Sequence, residues 1–154
     1  MVFALIIDGP LTPEFEARAL LAHADQWRSL AHDGTIGATL RFEGVVRRAE
    51  RDPEAADVER DLLALDYQTY DPMAQRGLEA LAVSVAERHG LRSLVALHSR
   101  GRVGVGEVSF VLEVAAPHRV ETLAAVADFI DRLKQDVPIW KRAAGCSCCA
   151  TRSA

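Results

Sequence analysis

Apolar positions along this chain fall into short runs with two different periods, and each change of period marks a new element. Val2 to Ile7 is nearly all apolar and stops at Asp8-Gly9-Pro10, which predicts a strand closed by a turn. Thr12, Pro13 and Glu14 then form a helix start, because a threonine hydroxyl can accept from the free N–H groups and proline loses no bond at the first helical position. That helix is predicted to turn Phe15, Ala19, Leu20 and Trp27 inward and to be over by Asp33-Gly34. Ile36, Ala38, Leu40 and Phe42 alternate with small or polar residues as in a half-buried strand, with Gly44 as a bulge signal before Val45 and Val46. Residues 49–61 are almost all charged or small, with Pro53 among them, and read as a solvated loop. Leu63, Leu65, Tyr67 and Thr69 alternate again. Asp71-Pro72 should cap and open a helix that keeps Met73, Gly77, Leu78, Leu81, Ala82 and Val85 on one face until Gly90. Two further strands, Leu94 to His98 and Val108 to Val114, are joined by a segment with Gly101, Gly104 and Gly106. Pro117 and Pro138 bracket a last helix, with Val120, Leu123, Ala124, Ala127, Ile130 and Leu133 as its expected inner face.

The resulting order is strand, helix, strand, strand, helix, strand, strand, helix. With short links between neighbouring strands it implies an α+β fold with a mainly antiparallel sheet and about three helices. A chain of 154 residues, 49% hydrophobic and 26% charged, suits one compact domain. That domain is expected over residues 1–142, followed by a short cysteine-containing tail at 143–154. The first apolar run is too short for a targeting segment and no stretch has the length of a membrane span. Cys146, Cys148 and Cys149 are crowded together rather than spaced as a disulfide framework or a structural zinc site, so a reducing cytoplasm is the expected location. They read as a thiol tail without a structural role, and no metal or cofactor is expected.

A formal charge of −4 argues against a nucleic-acid binder, so anion binding would have to be local. Basic residues gather at three element ends: Arg47-Arg48 after the glycine-broken strand, His118-Arg119 at a helix start, and Lys134 to Arg142 around a helix end. A helix start favours anions through its free N–H groups and dipole. Taken singly, each pair is equally well explained as solvated surface charge. His98, at the end of an apolar strand, reads as a structural histidine, and the three glycines as a hairpin connection. Of the 18 basic residues only Lys134 and Lys141 are lysine, the rest being arginine. Lysine offers what arginine cannot, a side chain able to lose its proton and act as base or nucleophile.

In this order the clusters resemble the large, catalytic subunit of molybdopterin synthase. Gly37 to Arg47 (GATLRFEGVVR) is similar to that family's strand ending in phenylalanine, glycine and arginine, and Leu65 to Ala74 (LDYQTYDPMA) to its strand and helix start. His98 to Glu107 resembles its histidine and glycine hairpin, Ala116 to Arg119 its histidine-arginine helix start, and Leu133 to Arg142 (LKQDVPIWKR) its two-lysine segment. The resemblance covers about residues 36–142 and places both lysines of this chain on the family's functional pair. It implies an α/β hammerhead-like fold and a homodimer within a heterotetramer. The partner implied is a small ubiquitin-like subunit whose Gly-Gly C-terminus carries a thiocarboxylate. The implied reaction passes that sulfur to cyclic pyranopterin monophosphate to make molybdopterin, in molybdenum cofactor biosynthesis. Carried over, Arg47, His118 and Arg119 would hold the substrate beside the backbone of Val45 and Val46. Lys134 would be the principal catalytic lysine, with Lys141 as its partner and Arg142 adjoining. Three positions depart from the family pattern: Ala143 for a glutamate, Gln68 for a glutamate and Ser99 for an arginine. Those departures leave a second reading, a lapsed paralogue that keeps the fold and binds pterins or anions, or serves as a scaffold.

Overall fold

A computed structural model describes the backbone of residues 1–21, 23–51 and 59–146. The elements are β1 (Val2–Asp8), α1 (Pro13–Leu21), α2 (Ala24–His32), β2 (Ala38–Val45), β3 (Ala49–Arg51), β4 (Glu59–Thr69), α3 (Met73–Arg88), β5 (Ser93–Gly104), β6 (Val108–Ala116), α4 (Arg119–Asp136) and β7 (Ile139–Cys146). They form a single α+β domain around a seven-stranded sheet in the order β2-β6-β5-β4-β3, with β1 added to β5 and β7 to β4. Only β1 runs parallel to its neighbour; the other pairings are antiparallel.

The apolar run in β5 lacks alternation because both of its faces are covered. Leu94 and Ala96 pack into the larger core with α3 and α4, while Val95 and Leu97 pack on the opposite face with Ile7, Leu11 and Phe15. β6 divides the same way, with Phe110, Leu112 and Val114 on the first side and Val111 on the second. A third, smaller core of Val46, Leu62, Leu65 and Val103 lies where β4 meets the far end of β5. Outside the sheet, one guanidinium ties α1 down: Arg41 reaches Glu16 at 2.7 Å, Glu43 at 2.7 Å and Glu113 at 2.6 Å. The unpaired edge of β1 is met by the Gln75 amide, which accepts from the Ile6 N–H (2.9 Å) and donates to the Ala4 carbonyl (3.0 Å), as a neighbouring strand would.

Several expected boundaries move. The first helical region is two helices, α1 and α2, with His23 between them, and its ring lies 4.6 Å from that of Phe3. Thr12 does cap α1, accepting from the Phe15 N–H at 3.3 Å. The side chains of Leu20 and Trp27 lie outside the described residues. The expected loop at 49–61 contains β3, which pairs Ala49–Arg51 with Glu59–Asp61. Asp71 does not cap α3: the helix has Pro72 at its N-cap without a side-chain hydrogen bond, and Asp71 pairs with Arg100. β5 continues six residues beyond His98, through a stretch that its glycines had marked as loop, because β1 and then β4 supply partners there. The turn proper is Gly104 to Glu107.

At the C-terminal end, residues 143–146 are not tail but the last part of β7, with Ala143 paired to Leu65 and Cys146 to Leu62. Cys148 and Cys149 lie outside the described residues. Among the described residues no helix is long and apolar enough to cross a membrane.

The inner face of α4 is also turned from expectation. Thr122, Ala125, Val126 and Phe129 are buried, and Ile130 and Leu133 pack partly against the core, whereas Val120 and Leu123 are 67% and 56% exposed. The helix carries two apolar stripes, and periodicity alone selects the wrong one. Met73 is likewise exposed at the start of α3. Phe129→Ala, which removes a fully buried ring stacked 6.0 Å from Phe110, should therefore cost about 3–5 kcal/mol. Leu123→Ala should cost less than about 1 kcal/mol. Urea-unfolding midpoints of the two variants give the comparison, and equal losses would contradict the assigned face.

Candidate functional site

The end of β2 builds one wall of the site. Its register shifts between Gly44 and Val45, where Cβ on Gly44 would come 3.2 Å from that of Phe110, so the glycine is the expected bulge. The bulge leaves Val46 2% exposed, with its N–H on the Glu107 carbonyl (3.0 Å) and its carbonyl taking the Gly106 N–H (2.8 Å). Val45 and Arg47 face outward. Val45, Val46, Arg47, Leu65, Tyr67 and Lys141 share a cleft of about 140 Å³.

A larger cavity of about 350 Å³ adjoins this cleft, with Gly44, Tyr67, Ser109 and Lys141 lining both. Its apolar walls include Phe42, Phe110, Ile130, Leu133 and Ile139, and its cations are Lys134 and Lys141. Lys134 stands in the last turn of α4, which stops where Pro138 lacks an N–H to continue it. The chain then reverses into β7. Ile139 and Lys141 alternate on to the cavity face of that strand, with Lys141 opposite Tyr67. Two lysines seven positions apart thus meet in one cavity from different elements.

The cavity wall is hydrogen-bonded internally. Tyr67 donates through its hydroxyl to Ser109 Oγ (2.9 Å), and Ser109 donates to the Gly44 carbonyl (3.1 Å). His98 lies beside them, its ring 5.4 Å from Tyr67 and 5.6 Å from Phe110, with Nδ1 2.8 Å from the Ser99 carbonyl. Burial pushes the pKa of this imidazole down, against the weaker pull of that carbonyl, and the ring is neutral at pH 7. The Gly104 N–H is held by Glu107 Oε2 at 2.6 Å, so the glycine hairpin offers no open phosphate cradle at that residue. Among the described residues no group of three or more His, Cys, Asp or Glu could hold a metal ion.

Val45, Val46, Arg47, Lys134 and Lys141 are therefore brought together, but three expected residues are not. His118 and Arg119 begin α4 and Lys134 ends it; at about 1.5 Å per residue they are separated by roughly 24 Å along the axis. Both are exposed, and a Cβ at Gly37 would overlap the Pro117 carbonyl, which pins this helix start to the start of β2. Arg142 alternates with Lys141 and pairs with Asp66 on the other face of β7, away from the cavity. Of the arginines expected around Lys134, only Arg47 lines the adjoining cleft. Tyr67 and Ser109 went unrecognised in the sequence as site residues. The signal for Ser109 is a single hydroxyl within the apolar run Val108–Leu112, which must find a partner when buried.

The sequence model of the MoaE protein family matches residues 17–136. The chain belongs to the MoaE family. Its relatives include a Nostoc protein named as a molybdopterin synthase catalytic subunit, 33% identical over 119 residues, spanning 77% of this chain and 68% of that one. A Dictyostelium discoideum protein of the same name is 33% identical over 118 residues, covering 75% and 70%. Among solved structures, the Staphylococcus aureus molybdopterin synthase superposes with a TM-score of 0.65 at 26% identity, over 90% of this chain and 88% of that one. A chain of the Helicobacter pylori complex of subunits 1 and 2 of molybdopterin-converting factor does so at 0.64 and 26%, over 91% and 83%. The MoaE match includes Lys134 and stops short of β7, so Lys141 lies outside the matched residues.

Arg47 lines the cleft beside the cavity, and Arg142 lines neither. Arg47→Ala should weaken binding of a phosphate-bearing ligand at this cleft more than about tenfold, the loss of a charge-assisted contact. Arg142→Ala should change it less than about twofold, as for a surface charge. Titration calorimetry reads both, and a reversed order would put Arg142 in the site.

Proposed function

We propose that this chain is the catalytic subunit of a molybdopterin synthase, moving sulfur from a thiocarboxylated C-terminal tail of a small ubiquitin-like subunit to cyclic pyranopterin monophosphate. The observation that carries this reading is the cavity that holds both lysines of the chain, with Arg47 in the adjoining cleft. The cavity size is in the range that takes a small heterocycle, and its walls are apolar with a few polar groups. Arg47 would hold phosphate through its planar fork. Lys134 would act as base or nucleophile during sulfur transfer, and Lys141 would hold the substrate beside it. The names of the relatives support the activity, and the two-subunit Helicobacter pylori complex supports a small partner.

In this reading the active unit is a homodimer, each chain binding one small subunit in a reducing cytoplasm. A second copy then supplies His118 and Arg119, which one chain holds too far from its own lysines. β2 ends the sheet order with one edge unpaired among the described strands. Two-fold antiparallel pairing along that edge sets the start of one β2, with His118 and Arg119 beside it, against the end of the other, which leads into Arg47. Chains carrying Arg119→Ala and chains carrying Lys134→Ala should each be inactive alone. Co-expressed, they should recover about a quarter of wild-type activity, because half of the dimers then hold one intact site of two. No recovery, together with a monomer by light scattering, would remove the shared site.

Lys134 gives the sharper test of the chemistry. Lys134→Arg keeps the charge but cannot release a proton at working pH. It should lose more than about nine-tenths of single-turnover product formation with a thiocarboxylated partner, a barrier rise above about 1.4 kcal/mol, while folding and partner binding persist. A variant faster than that would reduce Lys134 to an electrostatic anchor.

A further inference from the structure

The cavity wall contains one titratable group for which the proposed chemistry has no use, His98. It is 7% exposed, yet it lines the same space as Lys134 and Lys141. Its tautomer follows from a single contact. A backbone carbonyl can only accept, so the ring nitrogen 2.8 Å from Ser99 O, Nδ1, carries the proton. Nε2 of the neutral ring is then a lone-pair acceptor. With Nδ1 held at the Ser99 carbonyl and the ring lining the cavity, Nε2 is the ring nitrogen left to face that space. The ring cannot easily swing away, being packed edge-on to Tyr67 and tilted against Phe110.

The cavity therefore presents two kinds of polar group. The lysines supply positive charge, and of the neighbouring hydroxyls Tyr67 donates to Ser109 Oγ and Ser109 to the Gly44 carbonyl rather than outward. Among these wall groups His98 is the fixed neutral acceptor. A ligand held only by cations would be chosen for its anionic part, and an acceptor set in an apolar wall adds a demand for a hydrogen-bond donor. It penalises ligands that leave Nε2 buried and unpaired.

We propose that His98 is a substrate-binding residue whose Nε2 accepts a hydrogen bond from the N–H or NH₂ edge of a nitrogen heterocycle seated between Phe42, Phe110 and the two lysines. The inference deepens the pterin reading above and rests on it. It assigns to His98 the choice of ring edge, and to Arg47 and the lysines the choice of charge. The peptide N–H groups of a partner's tail are a different class of donor, and the cavity's aromatic walls and volume of about 350 Å³ favour the flat ring over them.

Two substitutions divide the functions of the imidazole. His98→Asn keeps an N–H near the position of Nδ1, able to hold the Ser99 carbonyl, but removes the acceptor at Nε2. His98→Gln reaches the position of Nε2 with its amide oxygen. Calorimetric titration with cyclic pyranopterin monophosphate and steady-state kinetics should show His98→Asn weakened at least tenfold in affinity and KM with kcat changed less, and His98→Gln restored to within about threefold of wild type. A purely structural histidine would give the opposite order, Asn near wild type and Gln impaired, and would overturn the proposal. Weakened binding of the small subunit with unchanged pterin affinity would also overturn it, in favour of the peptide. If the wild-type protein fails to bind the pterin at all, the functional reading itself has failed. Ring ¹⁵N chemical shifts provide a check that needs no activity: with Lys134, Lys141 and Tyr67 the other titratable groups around the cavity, His98 should remain the neutral Nδ1–H form at pH 7. An imidazolium there would remove the acceptor and with it the proposal.

Discussion

β5 is the strand on which the two halves of the molecule depend, because it changes partner part-way along. As far as Arg100 it is paired with β1, and from Gly101 onward with β4. Every residue from Ser93 to Ser99 is buried, so the strand cannot be withdrawn from either neighbour without opening a core. The change falls at Gly101, whose φ of +81° is open to glycine at little cost. On one side of it lies the larger core under α3 and α4, and on the other the small core of Val46, Leu62, Leu65 and Val103. The cavity occupies the seam between them. His98 is the last β5 residue paired with β6, and Tyr67, opposite Gly101, is the end of the β4 pairing. A seam where one strand passes from one set of partners to another leaves a concavity that neither part of the sheet would form alone.

This arrangement explains which parts of the fold could be read from sequence and which could not. α3 was legible because its buried residues keep one helical stripe between clear stops. The α+β class and the mainly antiparallel sheet followed from the order of elements, which survives errors of several residues at boundaries. The far half of β5 was not legible. Gly101, Gly104 and Gly106 are loop signals in isolation, and only partners distant in sequence, β1 and β4, hold that stretch extended. β7 was hidden for a related reason, since Ala143, Ala144 and Gly145 have little strand preference of their own and are held by β4. On α4, Val120 and Leu123 form as good a stripe as the buried one, and composition cannot say which faces inward. The site was legible as a set of lysines and one arginine. His118, Arg119 and Arg142 were grouped with them by the family resemblance, whereas within one chain α4 sets the first two at its far end from Lys134 and strand alternation turns Arg142 to the other face of β7.

The division of labour between arginine and lysine also has a structural side. The arginines with described carboxylate partners fix the scaffold: Arg41 joins α1 to the sheet, Arg100 meets Asp8 and Asp71 where β1 ends, and Arg88 and Arg132 bind Asp128 and Asp136 along the paired helices α3 and α4. A planar fork with several donors is suited to holding geometry between carboxylates. The two lysines are placed instead at the cavity, one from a helix and one from a strand. An acidic protein can thus present local positive charge at a cavity while these four guanidinium groups are neutralised by neighbouring carboxylates.

Rigidity follows the same boundary. The strands lining the cavity bury polar groups that satisfy one another, Tyr67 to Ser109 to the Gly44 carbonyl and His98 to the Ser99 carbonyl, so the wall is fixed before any ligand arrives. The cations at its rim, on Lys134, Lys141 and Arg47, are long, exposed side chains. Under the proposed reading, a wall that moved would lose its choice of ring edge. Ala143 bears on the setting of Lys141. It lies on the same face of β7 as Ile139 and Lys141, two residues along the strand, so a glutamate at that position would set a carboxylate beside Lys141. With alanine there, that restraint is absent, and the orientation of Lys141 rests on its other surroundings.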